Sequence, residues 1–146
     1  MFIENLDEKN IILVNAVDKD TVLKKLCRVI FETGKVSSEE VLEEKVLHRE
    51  KLMSTGIGLG VGVPHVRCEG VKNVVLAMAV SDSPISGYDS IDGTPVKIVV
   101  MIVVPEHNHR QHILILSDIV KLLKDGAKRA AILSAHSPEE IYKSLR

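Results

Sequence analysis

Two apolar runs, residues 74–80 and 98–104, show no polar alternation. A strand with one wet face alternates, so β-branched runs like these read as strands covered on both sides. Residues 11–17 read as a shorter strand. Elsewhere the apolar spacing is helical. Leu23, Leu26, Cys27 and Ile30 share one face behind a capping Asp20, and Gly34 suits the left-handed residue that closes such a helix. Ser37 followed by Glu40 has the form of a capping box for a second helix running to about Met53, with Leu42, Val46 and Met53 on one face. Residues 54–63, glycine-rich and then apolar, read as a loop leading into a short strand. Pro84, Gly87, Asp92-Gly93 and Pro95 mark turns between the two apolar runs. A long helix is expected after Pro105, with a stripe of Leu116, Ile119 and Leu123, ending near Asp125-Gly126. Residues 127–133 suit a short helix, and Ser137-Pro138-Glu139-Glu140 opens a last one. Doubly covered strands mixed with helices imply an α/β layered fold with helices on both faces of the sheet.

The 146 residues suit one domain spanning 1–146, with no repeat, low-complexity stretch or linker dividing them. Net charge is −1 with basic residues scattered among acidic ones, and aromatics are 3%, so a nucleic-acid surface is not expected. The first residues carry acids where a secretion signal needs bases, and the longest apolar run, 98–104, is far too short to cross a bilayer. Cys27 and Cys68 show no metal or redox spacing and read as free thiols of a reducing compartment. A cytoplasmic protein without membrane insertion is the expectation.

Of six histidines, His65 stands out because it follows Gly56-Ile57-Gly58-Leu59-Gly60-Val61-Gly62-Val63-Pro64. Alternating glycines strip one strand face of side chains and admit another backbone or a ligand, and Pro64 fixes the chain just ahead of the imidazole. The glycines lack the Gly-Lys-Ser/Thr of a nucleotide loop. Arg49 falls on the apolar face of the second helix, and His112 falls on that of the helix after Pro105. An inward guanidinium is costly unless an anion or a carboxylate meets it.

Arg49-Glu50, Ser54-Thr55-Gly56-Ile57-Gly58 and Val61-Gly62-Val63-Pro64-His65 together resemble the fructose/mannitol-class enzyme IIA domain of the bacterial sugar phosphotransferase system, a class that includes the nitrogen-regulatory IIA proteins. The likeness extends through Asp92-Gly93-Thr94-Pro95-Val96, Pro105, His112 and Ser137-Pro138-Glu139-Glu140-Ile141. It implies a mixed β-sheet with helices on both faces, an α/β/α sandwich. It also implies a phosphotransferase component that accepts a phosphoryl group on His65 from HPr or a similar phosphocarrier and passes it to a cysteine of a IIB domain. Arg49 and His112 would flank the histidine. Gly62 stands where the family usually has Ala, and Val66 where a small residue is usual; a β-branched side chain there would narrow access to the phosphoryl group.

An imidazole, with a solution pKa near 6.5, offers a nucleophilic nitrogen at neutral pH, and a covalent intermediate divides the transfer into two steps. Phosphoryl transfer then needs alignment and charge stabilisation, a task suited to the guanidinium of Arg49, with His112 donating to the phosphoryl group or orienting His65. Backbone N–H groups near Ser54 and Thr55 are further candidate donors. No metal or other cofactor is called for. Three other readings stand beside this one. Phosphorylation of His65 could switch contact with a regulatory protein. His107, His109 and His112 could bind a transition metal, although only His109 shares a helix face with His112. A IIA-like domain that no longer takes phosphate is the last, with Val66 its one hint.

Overall fold

The structure, a computed structural model, describes residues 2–107 and 109–146, with the side chain of His109 outside the description. The chain opens with α1 (Phe2–Asn5) and a single 3-10 turn, then runs through β1 (Ile11–Val14), α2 (Lys19–Glu32), α3 (Glu39–Leu52), β2 (Gly56–Gly58), β3 (Val61–Gly62) and β4 (His65–Cys68). It continues with β5 (Val75–Ser81), β6 (Ile98–Pro105), α4 (His109–Leu123), α5 (Gly126–Ser134) and α6 (Pro138–Leu145).

The strands form one mixed sheet in the order β1-β5-β6-β3-β2, with β4 also on β6. β6 is the spine. It pairs antiparallel with β5 along one flank, while its other flank is shared by β3, beside Ile98 and Val99, and β4, beside Ile102 to Pro105, both parallel. β1 runs parallel to β5.

The absence of polar alternation in the two long strands has the expected cause. Val75, Ala77, Ala79, Val99, Met101 and Val103 face a core closed by Val22, Leu23, Leu26, Cys27 and Ile30 of α2 and Leu42 and Val46 of α3. The intervening Leu76, Met78, Val80, Ile98, Val100, Ile102 and Val104 face a second core built with Phe2, Ile115, Ile119, Leu123, Ile132, Ile141 and Leu145. At about 25 cal/mol per Å² of apolar area removed from water, two such cores dominate the favourable side of folding. The layers are helices, sheet, helices, as the pattern implied.

Local chemistry shifted several boundaries. Asp18, not Asp20, caps α2, accepting from the Thr21 N–H at 2.8 Å. Ser38, not Ser37, caps α3 through the Val41 N–H at 3.2 Å, so the third helical position is Val41 and no capping box forms. The first strand stops at Val14 because Ala16 turns left-handed at φ 53°. The α4 stripe is Ile115, Ile119 and Leu123, with Leu116 only partly buried. Ser137 caps α6 as expected, accepting from the Glu140 N–H at 3.2 Å. Among the described residues no helix is long and apolar enough to cross a membrane.

Candidate functional site

The glycine run is not one strand but a hairpin, β2 and β3, turning at Leu59 and Gly60, both left-handed at φ 61° and 77°. A non-glycine left-handed residue is strained. Here Asp92 holds it, accepting the Leu59 N–H at 2.9 Å and the Thr94 N–H at 2.9 Å. Those N–H groups hold the Asp92 carboxyl well below the usual carboxylate range.

Gly56 and Gly62 are needed for close approach, and what approaches is protein. A Cβ on Gly56 would lie 2.1 Å from the Asp89 carbonyl oxygen, and one on Gly62 would lie 2.6 Å from the Tyr88 ring. Of the two occupants such a face could admit, it is protein rather than a ligand that is present. The bare face is filled by the segment carrying Tyr88 and Asp89.

The chain passes through Pro64 without leaving the sheet, and His65 is the first residue of β4, beside Ile102 on β6. Strand alternation turns Val66 and Cys68 into the core under α2 and α3, whereas His65 and Arg67 are more open. The imidazole is half-buried, and its Nδ1 lies 2.8 Å from the Val63 carbonyl oxygen. A carbonyl only accepts, so Nδ1 carries the proton and Nε2 keeps the lone pair.

His112, in the first turns of α4, sets its ring 4.5 Å from that of His65, tilted by 40°. Its Nε2 is shielded from solvent. Arg49, near the end of α3, is half-buried, and its Nη1 donates to the Met53 carbonyl at 3.0 Å. Among the described residues no carboxylate pairs with it. His65, Arg49 and His112 all line one open cleft of about 400 Å3, together with Lys45, His48, Val66, Arg67 and Val104. Every ionisable group in that lining is basic, and together they make a field suited to a phosphoryl anion.

Three of these residues escaped the sequence reading. Lys45 and His48 sit four residues and one residue before Arg49 on α3, and Arg67 lies two residues beyond His65 on one strand face. That spacing was available as a signal. Val66 forms part of the cleft wall, but its side chain is 9% exposed and belongs to the core, so it does not stand across the imidazole.

The inward position on α3 is Glu50, with Leu42 and Val46, whereas Met53 is 68% exposed and off the expected face. Glu50 is the centre of a buried polar cluster. Its carboxylate accepts the Thr55 N–H at 3.2 Å and the Thr55 hydroxyl, and it pairs with Lys19 Nζ at 2.8 Å. Tyr88 Oη lies 2.7 Å from Thr55 Oγ1. Since the Thr55 proton is committed to Glu50, Tyr88 is the donor in that contact. Burial, and then the Glu50 charge, push the Tyr88 phenol far up, so it stays protonated. Lys19 Nζ also sits 4.5 Å over the Tyr88 ring. Because the Thr55 N–H is spent on Glu50, it is not a donor to the cleft, which corrects the expectation for that residue. The His107–His109–His112 grouping falls partly on the His109 side chain, outside the description. Among the described residues no cluster of three or more His, Cys, Asp or Glu could hold a metal ion.

The family described as the phosphoenolpyruvate-dependent sugar phosphotransferase system, EIIA 2, matches residues 4–146. The fructose-specific EIIABC component of the sugar phosphotransferase system of Bacillus subtilis is 32% identical over 128 residues, 88% of this chain, which spans only 20% of that relative's length. A nitrogen regulatory protein of Pseudomonas aeruginosa is 28% identical over 135 residues, covering 92% of this chain and 87% of the relative. The crystal structure of the nitrogen regulatory protein IIA-Ntr from Neisseria meningitidis superposes with a TM-score of 0.88 at 29% identity, covering 99% of this chain and 98% of that one.

Proposed function

The chain belongs to the EIIA 2 family of the phosphoenolpyruvate-dependent sugar phosphotransferase system, and from that premise we propose that His65 takes a phosphoryl group from HPr or a similar phosphocarrier and passes it to a IIB cysteine. The observation that carries the reading is the tie between His65 Nδ1 and the Val63 carbonyl, made inside a cleft whose ionisable lining is basic. The tie orients the ring and leaves Nε2 as the nucleophile.

In the first step Nε2 attacks the phosphorus of the donor's phosphohistidine in line. The new N–P bond forms as the donor's N–P bond breaks, and the donor ring keeps the electron pair. In the second step an acceptor thiolate attacks the same phosphorus, and the pair returns to Nε2. Charge on the equatorial oxygens has to be met during both steps. Arg49 supplies fixed guanidinium donors for those oxygens, and Lys45 and Arg67 raise the local positive field. His112, against the ring of His65, limits its rotation and can donate to the phosphoryl group.

His65→Gln keeps a polar side chain of similar reach but has no nucleophilic nitrogen. It should abolish acid-labile phosphate incorporation from phosphorylated HPr. Incorporation that persists would show the phosphoryl group resides elsewhere.

The likeness to nitrogen regulatory proteins favours a second reading, in which the phosphoryl group itself is the signal. Adding about −1.5 to −2 charges to a cleft lined by Lys45, Arg49 and Arg67 would offset most of its positive charge and change which protein surface fits it. Transfer onward to a IIB cysteine, followed by mass spectrometry, supports the transport role. A partner captured only by one phosphorylation state supports the regulatory one.

A further inference from the structure

We infer that Thr55, held by Glu50, Lys19 and Tyr88, is a positioning residue that fixes the His65 imidazole relative to Arg49. The inference rests on the reading of His65 as the phosphoryl carrier. It concerns residues outside the cleft: none of Lys19, Glu50, Thr55 or Tyr88 belongs to its lining, so none of them acts by touching the phosphoryl group.

All three polar groups of Thr55 are committed, in two directions. Its N–H and hydroxyl both go to the carboxylate of Glu50, the residue after Arg49 on α3. Its carbonyl accepts the Val63 N–H at 3.0 Å, and the Val63 carbonyl in turn accepts from His65 Nδ1 at 2.8 Å. The helix that carries the guanidinium and the segment that orients the imidazole are thus joined through one residue.

The joint is stiff because it is dry. Glu50, Thr55 and Tyr88 are 8%, 5% and 6% exposed. A hydrogen-bonded chain in a low-dielectric interior is costly to leave partly satisfied, so its members hold one arrangement. Lys19 neutralises Glu50, and its own N–H donates to the Ser86 carbonyl at 2.8 Å, which ties α2 to the segment that supplies Tyr88. Removing the Thr55 hydroxyl would release Tyr88 and one Glu50 oxygen together. That loosens the anchor of residue 63 and, through it, the proton position on His65.

The test uses the full chain and three variants. Thr55→Val keeps the backbone groups and the shape but removes the hydroxyl. Thr55→Ser keeps the hydroxyl, and Tyr88→Phe removes only the outer oxygen. Two quantities are read: the His65 tautomer, from long-range ¹H–¹⁵N spectra of the unphosphorylated protein, and the single-turnover rate of phosphorylation across a range of phosphorylated HPr concentrations. Wild type should show the proton on Nδ1. Thr55→Val should show a mixed tautomer population and a rate at saturating donor about tenfold lower, as small misplacements of reacting groups produce. Its half-saturating donor concentration should stay within about twofold of wild type, since the docking surface is untouched. Thr55→Ser should restore both readings. Should Thr55→Val fail to fold, Tyr88→Phe is read the same way, with a smaller change in the same direction.

A folded Thr55→Val with wild-type tautomer and rate overturns the inference, and so do losses that Thr55→Ser leaves unrepaired. A wild-type chain that takes no phosphoryl group refutes the carrier reading, while the tautomer comparison still decides the inference.

Discussion

Replacing Gly56 or Gly62 with alanine measures whether the tight contact beneath the β2–β3 hairpin is structural. An alanine Cβ at position 56 would sit 2.1 Å from the Asp89 carbonyl oxygen and 2.9 Å from the Ser90 Cα, where ordinary contact begins at 3.4 Å. The obstacle is backbone, and it is pinned: Asp89 O accepts from Ser54 Oγ at 2.7 Å, and the Ile91 N–H donates to Gly56 O at 3.2 Å. Overpacking of about 1–3 kcal/mol, plus two hydrogen bonds at about 1 kcal/mol each, puts the loss near 4 kcal/mol. At position 62 the obstacle is the end of the Tyr88 side chain at 2.6 Å, which can withdraw by giving up its hydrogen bond to Thr55. A loss of about 2–3 kcal/mol follows. Gly70→Ala meets nothing within 4 Å and carries only the strain of its positive φ, about 1 kcal/mol. For a chain of this size each kcal/mol lowers Tm by about 3–4 °C. Scanning calorimetry should therefore rank Gly56→Ala lowest in Tm, then Gly62→Ala, then Gly70→Ala. In a Tyr88→Leu background the Gly62→Ala cost should largely vanish, a coupling of about 2 kcal/mol. An equal Gly62→Ala cost in both backgrounds, or a reversed ranking, would refute the packing argument.

Other outcomes follow from the same geometry. Arg49→Ala should slow phosphorylation of His65 by about 10²–10³-fold, the scale for losing an electrostatic donor, with Arg49→Lys in between; a rate unchanged in Arg49→Ala removes the guanidinium from the mechanism. Lys19→Met leaves the buried Glu50 carboxylate without its counter-ion, at a cost of about 3 kcal/mol in urea unfolding, and a variant as stable as wild type would mean the pair contributes little. Burial pushes the Cys27 thiol from an ordinary value near 9 up to about 12. The folded state then holds this proton more tightly than the unfolded one. Its stabilising effect is complete below pH 9 and is lost as pH rises towards 12, at up to roughly 1.4 kcal/mol per pH unit. Cys27→Ala should flatten the slope of stability against pH in that window, and an unaltered slope would contradict the assignment.

Much of the fold was legible because its information is local. The unbroken apolar runs that became β5 and β6 report coverage on both faces, and the spacing of Leu23, Leu26, Cys27 and Ile30 reports the inward side of α2. Caps were legible only to within a residue or two. Asp18 and Asp20, or Ser37 and Ser38, are equivalent as residue types, and the choice depends on where the preceding segment delivers the chain. At the site, the motif singled out His65, whereas the helical face misplaced Arg49: Glu50 holds the inward position of α3, and Arg49 lines the cleft from beside it.

By itself the sequence determined the layers, the inward face of α2 and the imidazole that follows Pro64, since each is written within a few neighbouring residues. Only the tertiary structure decided that the glycines admit Tyr88 and Asp89 rather than a ligand, and that Glu50 rather than Met53 turns inward. It alone joins Arg49 to His65 through Thr55. Each of these depends on pairs that are distant along the chain, such as Gly62 with Tyr88 or Lys19 with Glu50, and a one-dimensional pattern carries no term for which remote atoms share a volume.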